Sequence, residues 1–168
     1  GYIEKVQEPK NYIWSWTADK DGVVRLGLGW KSGKINIWYR SEADGKLERI
    51  SKFKPGDKNG FFEAIQIIGG SSRGYVLDEG ESGRVGLRVF DYEKQEVAET
   101  FYEHPEWDIE DVWLKDGEPL AAFYTDDRQQ VVWFNDDYKK TYGELKKAVG
   151  DQDVWIRSRS EDGKKMLV

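Results

Sequence analysis

The sequence predicts an all-β fold built from a recurring four-stranded unit, on three observations. The first is composition. The 168 residues are only 38% apolar and 35% charged, yet they include 8 Trp, 9 Tyr and 7 Phe. Each large ring buries a wide area, so a lean apolar set can still close a core. Disordered chains are poor in such residues. The second is alternation: segments such as Ile35-Asn36-Ile37-Trp38-Tyr39 carry the two-residue period of a half-buried strand. The third is self-similarity. Tyr12-Ile13-Trp14-Ser15-Trp16 followed by Asp21-Gly22 matches Asp153-Val154-Trp155-Ile156-Arg157 followed by Asp162-Gly163. Gly69-Gly70 and Asp116-Gly117 fall between them, so Gly22, Gly70, Gly117 and Gly163 stand 48, 47 and 46 residues apart. Four antiparallel strands at a period of about 40–50 residues define a β-propeller blade. The expected fold is therefore all-β: a partial β-propeller of about three four-stranded antiparallel blades plus the start of a fourth.

The elements follow in order. The first blade, residues 11–53, has strands at Asn11 to Ala18, Val23 to Trp30, Ile35 to Arg40 and Leu47 to Phe53. The turns Lys31-Ser32-Gly33-Lys34 and Ala43-Asp44-Gly45-Lys46 supply the positive φ that tight hairpins need. The second blade, 61–102, has strands at Glu63 to Ile68, Gly74 to Leu77, Val85 to Asp91 and Val97 to Tyr102. The third, 108–149, has three: Ile109 to Leu114, Leu120 to Thr125 and Val131 to Asn135. A helix near 137–149 then replaces or joins the outermost strand. Tyr138, Tyr142, Leu145 and Val149 share its face, with Gly150 as its stop. Residues 153–168 start the next blade, with strands at Val154 to Arg159 and Lys164 to Val168. Three blades do not close a ring, so the open blade edges invite self-association. A β-sandwich of similar strand count satisfies the same short strands and turns.

Composition also excludes functions. The net charge of −6, with Lys pairs only at 139/140, 146/147 and 164/165, offers no clustered positive field for nucleic acid. Without cysteine there is no disulfide, thiol catalysis or cysteine-held zinc. No stretch approaches a membrane span, and no signal peptide is visible. The expectation is a soluble protein, cytoplasmic or periplasmic. The chain opens at Gly1 with no initiator Met and stops within Met166-Leu167-Val168, which suggests a segment of a longer protein.

The order of phrases narrows this further. Gly86-Leu87-Arg88-Val89-Phe90-Asp91 leads to Phe101-Tyr102-Glu103-His104-Pro105-Glu106-Trp107-Asp108, then to Ala122-Phe123-Tyr124-Thr125-Asp126-Asp127-Arg128, the helix, and Ser158-Arg159-Ser160-Glu161-Asp162-Gly163. This order resembles the propeller of bacterial serine peptidases of the prolyl oligopeptidase family (S9), in the acylaminoacyl-peptidase or dipeptidyl-aminopeptidase-like branch. The resemblance implies a C-terminal α/β-hydrolase domain that carries the catalytic triad, and a propeller that restricts access to it. It places no catalytic, cofactor or metal residue in this chain.

The candidate sites agree with that expectation. Gly70-Ser71-Ser72-Arg73-Gly74 fits the pattern of a nucleophile elbow, but Tyr75-Val76-Leu77 continues as a strand, whereas an elbow opens a helix. His104 is the only histidine, and Pro105 opposes a helix that would bring Asp108 to it; its expected task is to cap or pin the loop between the second and third blades. Asp19, Asp21 and Gly22 resemble the opening of a calcium loop, but Val23 stands where a further oxygen ligand is needed. Asp126, Asp127 and Arg128 read as a hairpin tip, and Asp136 and Asp137 as the helix N-cap. The tryptophans at 14, 16, 30, 38, 107, 113, 133 and 155 recur at matched places, which predicts packing between blades. A β-rich module that binds a glycan or a protein through exposed rings is the alternative.

Overall fold

The computed structural model describes residues 5–54, 62–150, 152, 154–160 and 165–168. The chain divides into two compact units, Gly1–Val131 and Val132–Val168.

The first sheet of the first unit comprises β1 (Ile13–Ala18), β2 (Val24–Lys31), β3 (Lys34–Tyr39) and β4 (Glu48–Phe53). The second comprises β5 (Phe62–Ile67), β6 (Arg73–Glu79), β7 (Val85–Asp91) and β8 (Glu96–Tyr102). In both sheets neighbours in space are neighbours in sequence and every pairing is antiparallel. A third, three-stranded sheet joins β9 (Asp111–Lys115), β10 (Glu118–Thr125) and β11 (Gln129–Trp133) in the order β11-β10-β9. Local chemistry sets these hairpins. Gly22, Gly70 and Gly117 have φ of 78°, 73° and 86°, a region closed to most side chains, and each turns the chain from the first strand of its sheet into the second. Gly163 lies outside the described residues.

The first two sheets pack face to face. Leu26, Ile37, Tyr39 and Phe53 from the first meet Ile67, Val76 and Tyr92 from the second. Tyr39 stacks on Tyr92 with centroids 5.3 Å apart and planes 16° from parallel, and Phe90 closes on Tyr92 edge-on at 5.2 Å. Burial pushes the Tyr92 phenol well above its ordinary range. The leading strands of the two sheets also meet, through a parallel bridge between Asp19 and Ile67. The third sheet is tied to the second by polar bonds. The Tyr75 hydroxyl donates to the Glu118 carboxylate at 2.8 Å. The Val85 N–H donates to the Asp108 carboxylate, and the Val85 carbonyl accepts from the Ile109 N–H. Burial, reinforced by the Glu118 bond, pushes the Tyr75 phenol up to about 12.

The second unit holds α1 (Asp136–Val149) and the short antiparallel pair β12 (Ser158–Arg159) and β13 (Met166–Leu167). The helix stands where the sequence places it, but its N-cap is Asn135, whose side chain accepts from the Tyr138 N–H at 3.1 Å. Asp136 and Asp137 occupy the first turn instead, and Lys146 and Lys147 the last, each sign at the helix end that favours it. The last strands are shorter than expected: among the described residues Val154 to Arg157 form no strand although Val154 and Ile156 are buried, and Lys164 lies outside the described residues.

Candidate functional site

The sequence candidates resolve into turn chemistry. Ser72 sits in the β5–β6 turn, where its hydroxyl donates to the Asp91 carboxylate at 3.0 Å and its carbonyl accepts from the Tyr92 N–H. The neighbouring Ser71 hydroxyl donates to the Ile68 carbonyl and accepts from the Arg73 N–H. The chain leaves this turn as β6, so Ser72 is held as a turn residue within a hairpin. Asp91 takes three further contacts, from the N–H groups of Glu93 and Lys94 and from the Arg73 guanidinium. The Lys94 N–H is the chief cause that holds its carboxyl below the usual range.

Asp19 is buried. One carboxylate oxygen accepts from the N–H groups of Asp21 and Val23, each at 3.0 Å, and the other receives Arg25 at 3.2 Å. The oxygens a calcium ion would need are thus taken by the turn itself. Among the described residues no group of three or more His, Cys, Asp or Glu side chains could hold a metal ion. Asp126 closes the β10–β11 hairpin by accepting from the Arg128 N–H and from the Gln130 amide, and the Arg128 N–H chiefly lowers its pKa.

His104 pins the segment between β8 and β9. Its Nδ1 accepts from the N–H groups of Glu106 and Trp107, at 3.2 and 3.1 Å, and its ring lies 4.3 Å from that of Tyr124. With Nδ1 engaged twice as an acceptor, this nitrogen cannot also orient through an acid, as a triad histidine does. His104→Ala is expected to cost about 1–2 kcal/mol, the loss of two turn hydrogen bonds, and His104→Asn to recover part of it. Thermal melting followed by Trp emission reads both, and a wild-type midpoint for His104→Ala would show that the turn does not depend on the ring.

The tryptophans require a correction. Trp38 is buried, but the ring it packs on at 5.0 Å is Tyr12, within the same expected blade. Trp14, Trp30 and Trp107 are instead 56%, 46% and 42% exposed, so recurrence at matched positions does not place them between sheets. Trp14 and Trp155 also differ, since Trp155 is half-buried.

Recesses open among the described residues of the first unit. One, of about 380 Å³, runs between the β3–β4 and β7–β8 turns; its charged lining mixes Arg40 and Lys46 with Glu42, Glu48 and Glu93. Another, of about 220 Å³, opens beside Trp14 and is walled by Leu26, Leu28, Ile37 and Ala64, with Glu63 as its one charged side chain. Sequence reasoning missed both, because each is formed by residues of two sheets. No family model, curated protein or solved structure matches the chain. Among the described residues no helix is long and apolar enough to cross a membrane.

Proposed function

We propose that the chain is a non-catalytic segment of a β-propeller, and that its parent is a serine peptidase of the prolyl oligopeptidase type whose α/β-hydrolase domain it shields. The observation that carries the propeller reading is the relation between the first two sheets. They are successive four-stranded meanders packed face to face, with leading strands side by side and parallel at Asp19 and Ile67. Radial repetition of a meander sheet produces that relation. The recurring positive-φ glycines at 22, 70 and 117 support the same repeat. The peptidase parent rests on the phrase order alone. A non-catalytic role is consistent with Ser72 and His104, the residues nearest in type to a nucleophile and base, each serving its own turn.

The test is the coding sequence beyond Val168 together with an assay. The reading expects a downstream hydrolase domain with a Gly-x-Ser-x-Gly elbow, and a purified 168-residue chain that does not cleave acyl-peptide anilides. An uninterrupted reading frame without that domain would remove the peptidase parent and leave the propeller reading standing.

A further inference from the structure

We propose that the cavity beside Trp14 is a binding site for a compact organic cation, a primary ammonium attached to a short apolar or aromatic group. The proposal stands on the cavity itself and does not depend on the peptidase reading. Its volume of about 220 Å³ is below the roughly 300–1,000 Å³ of drug-sized pockets, so it suits one ring or a short branched chain.

The walls divide the ligand in two. Leu26, Leu28 and Ile37 from the first sheet and Ala64 from the second form the aliphatic side, and Ser15 and Thr17 of β1 add two hydroxyls to the lining. A pyranose, whose several hydroxyls each need a partner, would find only Ser15, Thr17 and Glu63 among the polar side chains of this lining. Trp14 supplies a free aromatic surface: it is 56% exposed and its ring stacks on no ring of the described residues. Glu63 lines the same cavity, is exposed, and forms no hydrogen bond or ion pair with a described residue. The parallel bridge at Asp19 and Ile67 brings the leading strands of the two sheets together, and the cavity lining joins Trp14 and Ser15 of β1 with Glu63 and Ala64 of β5. Indole is the strongest aromatic partner for a cation, and the carboxylate adds a full opposite charge at the rim. The net charge of −6 likewise favours a cationic ligand. An apolar ammonium thus places its body against the aliphatic walls and its head at Trp14 and Glu63.

The experiment is calorimetric titration of the 168-residue chain with phenethylammonium, against phenethyl alcohol as its neutral counterpart. Saturable binding in the millimolar range is expected, with the alcohol at least fivefold weaker. Trp14→Ala and Glu63→Gln should each weaken the ammonium by about fivefold, and binding should weaken as salt is raised. Both side chains are exposed, so the variants should keep the wild-type circular dichroism spectrum; if one misfolds, the other still decides. Equal affinity for the alcohol, wild-type affinity in either folded variant, or no saturation would each overturn the proposal.

Discussion

Gly29→Ala is expected to detach the start of β1 and to cost roughly 2–4 kcal/mol, the upper range for forced overpacking. Gly29 lies opposite Ile13 in the β1–β2 ladder, next to a register shift between Ile13 and Ser15. A Cβ there would stand 1.8 Å from the Tyr12 carbonyl oxygen and 2.7 Å from the Ile13 Cα. These are backbone atoms, so no rotamer change relieves the clash. The neighbouring Gly27 receives side chains instead, with Ile13 Cδ1 and Trp16 Cζ3 at 2.9 and 3.1 Å from its would-be Cβ. Together the two glycines let the chain at Tyr12, Ile13 and Trp16 lie close over β2, where Tyr12 also covers Trp38. Pushing that segment away exposes Trp38, which is now 7% exposed. Near-UV circular dichroism across a urea titration measures the loss. Gly143→Ala is the control of opposite sign. It lies within α1, a Cβ there meets nothing within 4 Å, and alanine gains up to about 1 kcal/mol over glycine inside a helix. If both variants shift the midpoint alike, close packing at Gly29 is not what fixes β1.

The strands were legible because their punctuation is chemical. Gly22, Gly70 and Gly117 require positive φ, and the sequence marks those turns without knowledge of anything distant. Boundaries drifted where pairing, rather than hydropathy, sets the end. β6 continues past Leu77 because Asp78 and Glu79 pair with Gly86 and Val85, and polar residues on a ladder look like a turn. β9 begins at Asp111, after the Ile109 expected, because the Ile109 N–H is given to Val85. Asn135, Asp136 and Asp137 are all good N-cap types, and only geometry separates them.

Side-chain environment was far less legible. Alternation says that Trp14 and Trp38 each lie on a strand face, but not whether another sheet covers that face. The cavity at Trp14 and Glu63 needs the approach of β5 to β1, which no local pattern encodes. Nothing in the sequence marks Arg88 as buried, since a charge within a strand ordinarily occupies a solvent position. Its burial depends on partners 4 to 15 residues away.

That buried guanidinium carries the other large expected effect: Arg88→Met should destabilise the second sheet by on the order of 2–3 kcal/mol. Arg88 is 4% exposed. Its Nε donates to the Asp78 carbonyl, Nη1 to the Thr100 hydroxyl at 2.6 Å, and Nη2 to the Arg84 carbonyl and the Glu103 carboxylate. The fork therefore joins β6, β7, β8 and the turn between β6 and β7. Gly80 makes the room, since a Cβ there would come within 2.0 Å of Nη2. Methionine keeps the stem's packing but leaves the carbonyls and the carboxylate without their donor, and lysine cannot reproduce the planar fork. Glu103 is 27% exposed, so water recovers part of its loss and the value falls below that of a fully enclosed pair. The pH dependence has a definite sign. The Arg88 bond holds the Glu103 carboxyl below its usual range, so its contribution is complete above the ordinary carboxylate pKa and is lost as the pH falls through the lowered folded value. Arg88→Met should therefore flatten the acid limb of the stability profile as well as lower its plateau. Glu103→Gln, which keeps an acceptor for Arg88, should flatten the limb with a smaller loss at neutral pH. Urea midpoints from pH 7 down to pH 3 measure both, and an Arg88→Met profile parallel to wild type would mean that Glu103 takes its low pKa from elsewhere.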